Sequence, residues 1–464
     1  MRVGIVGAGL AGLSAAFYLR RWQPDCQVQL FESSGRCGGA IRTEQAGAFL
    51  LEHGADMFAT QPDAALQLCE ELGLADRLIR PLPHARGAGI VHRGRVVRIP
   101  EGFVLMRPTR LASMLTTPLL SPLGKLRLFA EGLVPQRTAA DDESIESFVT
   151  RRLGREVLDR IVQPLVGGIY TGDVAKLSMA ATMPQFCQME REDGSLWAAT
   201  RRRKREGIDS TERNSAGARY EQFRSLSGGI QELIDALQVS LEPETLRLGQ
   251  AATAVVREDG RWRLEGVDGG EPLDHLIVAT PARAAAKLLS GAVPPAANLL
   301  SQIETTSSAI VVLGVDSTDI ARPLDVAGIV VPACERRRIL AVSFTSDKFA
   351  SRAPAGQKLI RVFIGGALQS ELLQLDDAEL IAIARGELQE LIGLTGQPLL
   401  ARVIRWHNAM PQYHLGHRQR IDELEQLVAQ HPGLHVIGNS LRGVGIAPTV
   451  AGAVAVASRI IGHA

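Results

Sequence analysis

A chain of 464 residues, 45% of them hydrophobic and 22% charged, is long enough to bury a substantial core and to divide into two or three domains. A formal net charge of +1 offers no general attraction to nucleic acid, and no uninterrupted apolar run is long enough to cross a bilayer. The five cysteines, Cys26, Cys37, Cys69, Cys187 and Cys334, are odd in number and lack metal-ligand spacing, so they read as reduced thiols of a cytoplasmic protein.

The chain opens on a strand, Val3-Gly4-Ile5-Val6, that runs into Gly7-Ala8-Gly9-Leu10-Ala11-Gly12. This spacing predicts a tight turn into a helix whose N-terminus receives a dinucleotide pyrophosphate. Gly7 permits the turn, Gly9 lets the backbone approach the phosphates, and Gly12 lets helix and strand pack closely. These glycines make the apolar start a structural unit and not a secretory signal. Glu32 ends the next apolar strand, Val28-Gln29-Leu30-Phe31, where a carboxylate accepts hydrogen bonds from ribose hydroxyls. A glycine-rich turn that binds nothing is the competing reading, and the order of strand, glycines, helix and acid argues against it.

Further along, Ala64 to Leu74 has the pattern of an amphipathic helix, and His92-Arg93-Gly94-Arg95 reads as a turn between two short strands ending at Pro100. Arg110 to Leu133 is rich in leucine, proline and basic residues, and Ser144 to Val166 is expected to be helical. That region is either an ordinary helical subdomain with a solvated basic face or a surface that touches lipid. The run Arg201-Arg202-Arg203-Lys204-Arg205 has no flanking aromatics in the pattern of a nucleic-acid surface and reads as a solvated loop. A helix is expected after Ser227-Gly228-Gly229, then a strand around Ala251 to Val256, a hairpin through Trp262, and the strand Leu276 to Ala279. Strand-like runs between Thr306 and Gly366 suggest a mixed sheet. Near the end, His435-Val436-Ile437 opens into Gly438-Asn439, and Gly443-Val444-Gly445-Ile446 precedes a small-residue helix expected from Thr449 to Ile461. A strand, a Gly-Asx turn and a helix start are suited to closing a flavin site.

The second glycine pair, in Arg36-Cys37-Gly38-Gly39, favours FAD over NAD, because it adds a cation and a close backbone approach that a simple dehydrogenase does not need. No second GxGxxG with its own strand and acid follows, so electrons are expected to leave the flavin to oxygen or another diffusible acceptor. No cysteine lies beyond Cys334, which removes a thioether attachment, so the flavin is expected to be bound non-covalently.

Glu32-x-x-x-Arg36-x-Gly38-Gly39 resembles the signature of the flavin amine oxidase superfamily. Gln163-Pro164-Leu165-Val166-Gly167-Gly168-Ile169-Tyr170-Thr171-Gly172-Asp173, Glu190 to Leu196, Phe223 to Gly229, Trp406 to Tyr413 and Gly438 to Ile446 resemble blocks of its protoporphyrinogen oxidase family. The likeness spans nearly the whole chain. It implies FAD-dependent oxidation of a porphyrinogen to a porphyrin in haem biosynthesis, in three two-electron steps with oxygen as acceptor and hydrogen peroxide as product. The flavin carries this chemistry while the protein holds the macrocycle against it. No paired-carboxylate or Ser/His/Asp constellation is required, and His53 and His407 read as structural histidines.

Carried over by position, the resemblance implies cofactor contacts from Gly7, Ala8, Gly9, Leu10, Ala11 and Gly12, and from Glu32, Ser33, Arg36, Gly39 and Ala40. Further contacts are implied for Gly54, Ala55, Asp56 and Met57, for Ala252, and for Asn439, Val444, Gly445 and Ile446. Gly168, Val330 and Phe363 match substrate positions. Many family members carry an arginine just before Gly89 to hold a propionate; this chain has Ala88 there, leaving Arg86, Arg95 or Arg98 as replacements. A pocket poor in cations suits fewer carboxylates, so protoporphyrinogen IX is expected ahead of coproporphyrinogen III.

The resulting expectation is an α/β protein with a discontinuous Rossmann-like FAD-binding domain (1–80, 225–300 and 410–464). A mixed-sheet substrate domain (81–102 and 301–409) and a helical subdomain (103–224) that faces or touches a membrane complete it. The expected location is the cytoplasm, with peripheral contact at the inner face of the cell membrane resting on Phe103 to Val134. An amine oxidase or carotenoid desaturase is the alternative enzyme, although 4% aromatic content suits an amine cage poorly. A flavin-binding protein without turnover is the alternative from another class. Composition leaves oligomeric state open, a homodimer included.

Overall fold

The computed structural model describes residues 1–83, 87–104, 106–139, 141–207 and 222–462. Five parallel strands form the first sheet, in the order Leu246–Leu248, Gln27–Glu32, Arg2–Val6, His275–Val278 and Leu434–Val436. Its central strands are buried on both faces, which is why they read as continuous apolar runs. Ile5, Leu30 and Ile277 pack under the helices Leu10–Trp22, Gln231–Val239 and Ile446–Ile461. Val6, Phe31, Leu276 and Val278 pack on the other side against Trp262 and the helices Ala282–Leu289 and Pro294–Ser301. The edge strand Leu246–Leu248 has no counterpart in the sequence reading, because three residues with one arginine among them carry too little periodicity.

Seven strands form the second sheet, in the order Leu400–Pro411, Thr305–Asp316, Gln357–Gly365, Ala341–Phe344, Gly328–Val330, Gly89–His92 and Arg95–Arg98. All neighbours are antiparallel except Gly328–Val330 with Gly89–His92. One face, with Val311, Leu313, Ile360 and Val362, packs against the helix Asp377–Ile392. Asp376 and Glu379 start that helix with a reciprocal capping box. The other face carries Ile310, Val312, Leu359 and Ile404, and it packs against Phe49 and Leu51 of the N-terminal segment.

The helical excursion has its own core, including Met114, Leu128, Phe148, Ile161 and Phe186. Arg152 is fully buried within it, donating to the Glu131 carboxylate and to the carbonyls of Val134 and Gly194. On the outside, Leu115, Leu123, Leu126 and Leu133 are exposed, Leu123 at 77% and Leu133 at 87%. No helix among the described residues is long and apolar enough to cross a membrane.

Two expectations are corrected here. Arg201 to Arg205 is the second half of a helix, Leu196–Arg205, and not a loop. Ser195 caps its start by accepting from Ala198 N, Trp197 stacks on Phe129, and Arg202 pairs with Asp193, so local contacts outweigh the repulsion of clustered cations. The last helix begins at Ile446 and not at Thr449, because Pro448 falls in the first turn, where its missing N–H is no loss.

Candidate functional site

The strand-to-helix turn at the N-terminus is built as its spacing requires. Gly7 has φ +105°, and a Cβ at Gly12 would lie 2.0 Å from the Gly7 carbonyl oxygen, so strand and helix meet at backbone distance. Gly9 differs: a Cβ there would meet nothing within 4 Å. The helix Leu10–Trp22 that follows has no side-chain cap, and neither does Ile446–Ile461, which packs beside it and begins at Gly445 in equally open space. Two adjacent helix N-termini thus present uncommitted amides and positive dipole ends to one open region, which suits phosphate oxygens. Leu10 and Ala11 form the first turn beneath it. The second glycine pair closes on the first: Gly38 N donates to Ala8 O at 2.8 Å, and a Cβ on Gly39 would come within 3.4 Å of the Gly9 Cα.

The Glu32 carboxylate accepts from Ala8 N and from Ser34 N, each at 2.9 Å, and from the hydroxyls of Ser33 and Ser34, and it remains half-exposed. Ser33 beside it is exposed. Gln250 N donates to Glu32 O, which brings Ala252 to the same end of the sheet. Arg36 spends its guanidinium on the carbonyls of Cys37, Gly39 and Ile41, so its role here is to shape the glycine loop that leads to Ala40.

The segment Gly54 to Met57 is held entirely from behind. Trp406 Nε1 donates to His53 O, Arg361 to Gly54 O, and Ser225 Oγ to Asp56 O. The Asp56 side chain is buried against the Lys348 ammonium. Ala55 and Met57 are left on the open side. At the C-terminal turn, Tyr413 Oη donates to Asn439 O at 2.6 Å and accepts from Gly443 N at 2.9 Å, while its ring stacks on His417 at 4.0 Å. Burial pushes the Tyr413 phenol up and His417 down to about 4, so both stay neutral. Sequence reasoning assigned no role to Tyr413 or His417; their only signal is the chemistry of buried polar rings beside a glycine-rich turn.

The matched substrate residues come together. The pairings Val330 with Ala341, Ala341 with Phe363 and Phe363 with Ile310 form one row across the second sheet, so these side chains share a face. Val330 and Phe363 are half-exposed although their neighbours along each strand are buried. Gly168, exposed on the helix Gln163–Tyr170, faces this row: a Cβ there would lie 3.6 Å from a Val330 methyl. Val444 packs toward the same helical core as Val330. The arrangement is a backbone edge opposite a flat apolar wall.

The candidate anchors separate. Arg98 shares the face of Val96, which packs into the core on the far side of the sheet, and it pairs with Asp325, so it is corrected out of the substrate wall. Arg95 lies on the face of Val97, the same face as Val330, and is exposed with no ion-pair partner among the described residues. Ala88 is buried, and Arg86 lies outside the described residues. His53 is hydrogen-bonded to Glu44 at 2.8 Å and His407 is exposed on an outer strand, so neither faces the wall.

A parallel sheet with two bare helix N-termini, an acid at the second strand and a half-exposed apolar wall on the second sheet defines a dinucleotide-binding oxidoreductase. Comparison with known proteins narrows this class. The chain matches the family described as flavin containing amine oxidoreductase over residues 10–461, and it belongs to that family. It is 34% identical to the coproporphyrinogen III oxidase of Bacillus subtilis over 452 residues, covering 96% of this chain and 94% of that one. It is 26% identical to the chloroplastic/mitochondrial protoporphyrinogen oxidase 2 of Arabidopsis thaliana, covering 100% and 94%. A crystal structure from Exiguobacterium sp. 255-15, provisionally assigned as a protoporphyrinogen oxidase, superposes with a TM-score of 0.85 at 31% identity, covering 99% and 98%. The protein is therefore a flavin-dependent oxidoreductase of the porphyrinogen oxidase type, and its cofactor is FAD, which the open glycine cradle fits.

The two glycines of the turn are expected to fail differently. Gly9→Val meets no protein atom nearby but fills the phosphate space, so the variant should purify without flavin absorbance and unfold at the temperature of the flavin-stripped wild type. Gly12→Ala should lose about 1–3 kcal/mol of stability, read by denaturant unfolding, because the methyl overlaps the Gly7 carbonyl.

Proposed function

We propose that this protein oxidises coproporphyrinogen III to coproporphyrin III, with FAD as hydride acceptor and oxygen as the terminal acceptor. The observation that carries the reading is the apolar row Val330, Ala341, Phe363 and Ile310, with Val330 and Phe363 left half-exposed and the bare Gly168 backbone abutting Val330; such a flat apolar face suits the face of a tetrapyrrole. The identity of 34% over nearly the full length with a bacterial coproporphyrinogen III oxidase supports the substrate with four propionates. FAD supplies the acceptor for hydride lost from a bridging methylene. The wall and the Gly168 edge hold that carbon in place and exclude water.

Protoporphyrinogen IX, favoured by the sequence reading, remains the second substrate because the matched inner positions are apolar and the plant relative carries that name. Arg95, exposed on the substrate face with no ion-pair partner among the described residues, weighs toward the first, since a propionate left unpaired on leaving water costs several kcal/mol in order of magnitude. The FAD is held without a covalent bond. The exposed leucines at 115, 123, 126 and 133 support shallow adsorption to anionic lipid, with Arg201, Arg203, Lys204 and Arg205 on a helix that packs beside Ala130–Leu133.

In one assay under air, porphyrin fluorescence should rise with higher kcat/KM on coproporphyrinogen III than on protoporphyrinogen IX. Arg95→Ala should reduce that preference by about tenfold, the effect of about 1.4 kcal/mol from one lost charge pair. Equal efficiency on both substrates, unchanged by the substitution, would remove Arg95 as the anchor.

Acid precipitation should leave a colourless pellet with all the flavin in solution; yellow colour retained by the denatured chain would establish a covalent link.

On flotation with anionic vesicles, the wild type should rise with the lipid at low salt and sink at high salt. The L123E/L126E variant should stay at the bottom at both, while retaining full activity in solution.

A further inference from the structure

Beneath the loop Gly54 to Met57 lies a group of charges that the proposed reaction does not use. Glu52, Asp56, Lys348, Arg352 and Arg361 are all buried, with relative exposures between 0% and 7%. Lys348 pairs with Asp56, Arg361 lies 3.5 Å from the same carboxylate, and Arg352 lies 3.7 Å from Glu52. Arg352 also donates to the carbonyls of Leu226 and Ser227, and the Nε atoms of both arginines lack a partner. Neighbouring charges are balanced elsewhere, Glu232 by Arg77 and Asp347 by Lys358. Three cations therefore stand against two carboxylates, a surplus of one positive charge in a region closed to water.

Lys348 and Arg361 hold the Asp56 carboxyl below its usual range despite burial, while burial, with Arg361 and Arg352 nearby, pulls Lys348 down against the attraction of Asp56. Burial also pushes the Glu52 carboxyl up and the Arg352 guanidinium down. A buried ion cluster is a poor source of net stability compared with apolar packing of the same volume. Bracing of the loop is already provided by Trp406, Ser225 and the Arg361 bond to Gly54 O. What the cluster adds is unscreened positive charge behind the loop, where low dielectric extends its reach. Arg361 also lies over the Phe363 ring, 5.2 Å from its centre, on the same face of the strand, so one cation touches both the loop and the apolar wall.

We infer that Lys348 and Arg361 are positioning residues whose buried charge raises the reduction potential of the bound FAD, favouring the negative charge that the flavin gains when it accepts hydride. The inference rests on Gly54 to Met57 being a flavin contact. In the holoenzyme, the midpoint potential is measured by photoreduction against a reference dye, together with FAD content and thermal unfolding. Lys348→Met, which keeps the length and removes the charge, should lower the reduced-to-oxidised ratio at fixed potential about tenfold, or ~30 mV for a two-electron couple. Lys348→Arg should restore the wild-type potential. Arg361→Gln should also lower it, since its amide can still donate to Gly54 O; this variant carries the test if Lys348→Met does not fold. A flavin-loaded Lys348→Met or Arg361→Gln protein with the wild-type potential overturns the inference, as does a Lys348→Arg protein shifted as far as Lys348→Met. A wild-type protein that binds FAD but whose loop substitution Ala55→Trp leaves FAD content and flavin spectrum unchanged overturns the loop contact, and the inference with it.

Discussion

The backbone approach at Gly12, where the first helix crosses the carbonyl of Gly7 with no room for a methyl group, sets the geometry on which the remaining parts depend. Because the helix begins that close to its strand, its N-terminus opens at the carboxyl end of the sheet with no side chain capping it. The unsatisfied amides that would be a defect in a structural helix become a binding surface. The last helix repeats the arrangement from the far end of the chain. Packing of the two helices side by side brings residues more than four hundred positions apart into contact.

The second sheet answers a different physical demand. One face must bury aliphatic side chains against a helix, and it does so with Val311, Leu313, Ile360 and Val362. The other face meets the cofactor unit and leaves Val330 and Phe363 only half covered. A planar apolar ligand completes such a face at no cost in unsatisfied polar groups. Gly168 lets a backbone edge come up against Val330 with no side chain between them. Buried charges at Lys348, Arg352 and Arg361 join this part of the molecule to the N-terminal segment at Glu52 and Asp56.

Much of the fold was legible because its signals are local. Val3 to Gly12, the strand before Glu32, the hairpin through Trp262 and the long strands between Thr306 and Gly366 follow from periodicity and turn residues alone. The helix at Arg201 to Arg205 was missed because the contacts that hold it, Ser195, Asp193 and Phe129, lie outside the basic run. Arg98 and Arg95 look equivalent in sequence. Alternation along one short strand sends them to opposite faces, and only the pairing of Val97 with Ile90 fixes which face is which.

The sequence by itself determined the cofactor-binding turn and the α/β class, because glycine spacing and apolar patterning are consequences of backbone sterics and strand period that need no distant partner, while the chemical family came from the resemblance of its motif blocks. Tertiary structure alone decided which arginine faces the substrate wall, that Tyr413 and His417 hold the closing turn, and that five charged residues from segments three hundred positions apart share one dry volume. Those outcomes depend on long-range pairing and on the exclusion of water from the space between elements, and neither is encoded in any local stretch of chain.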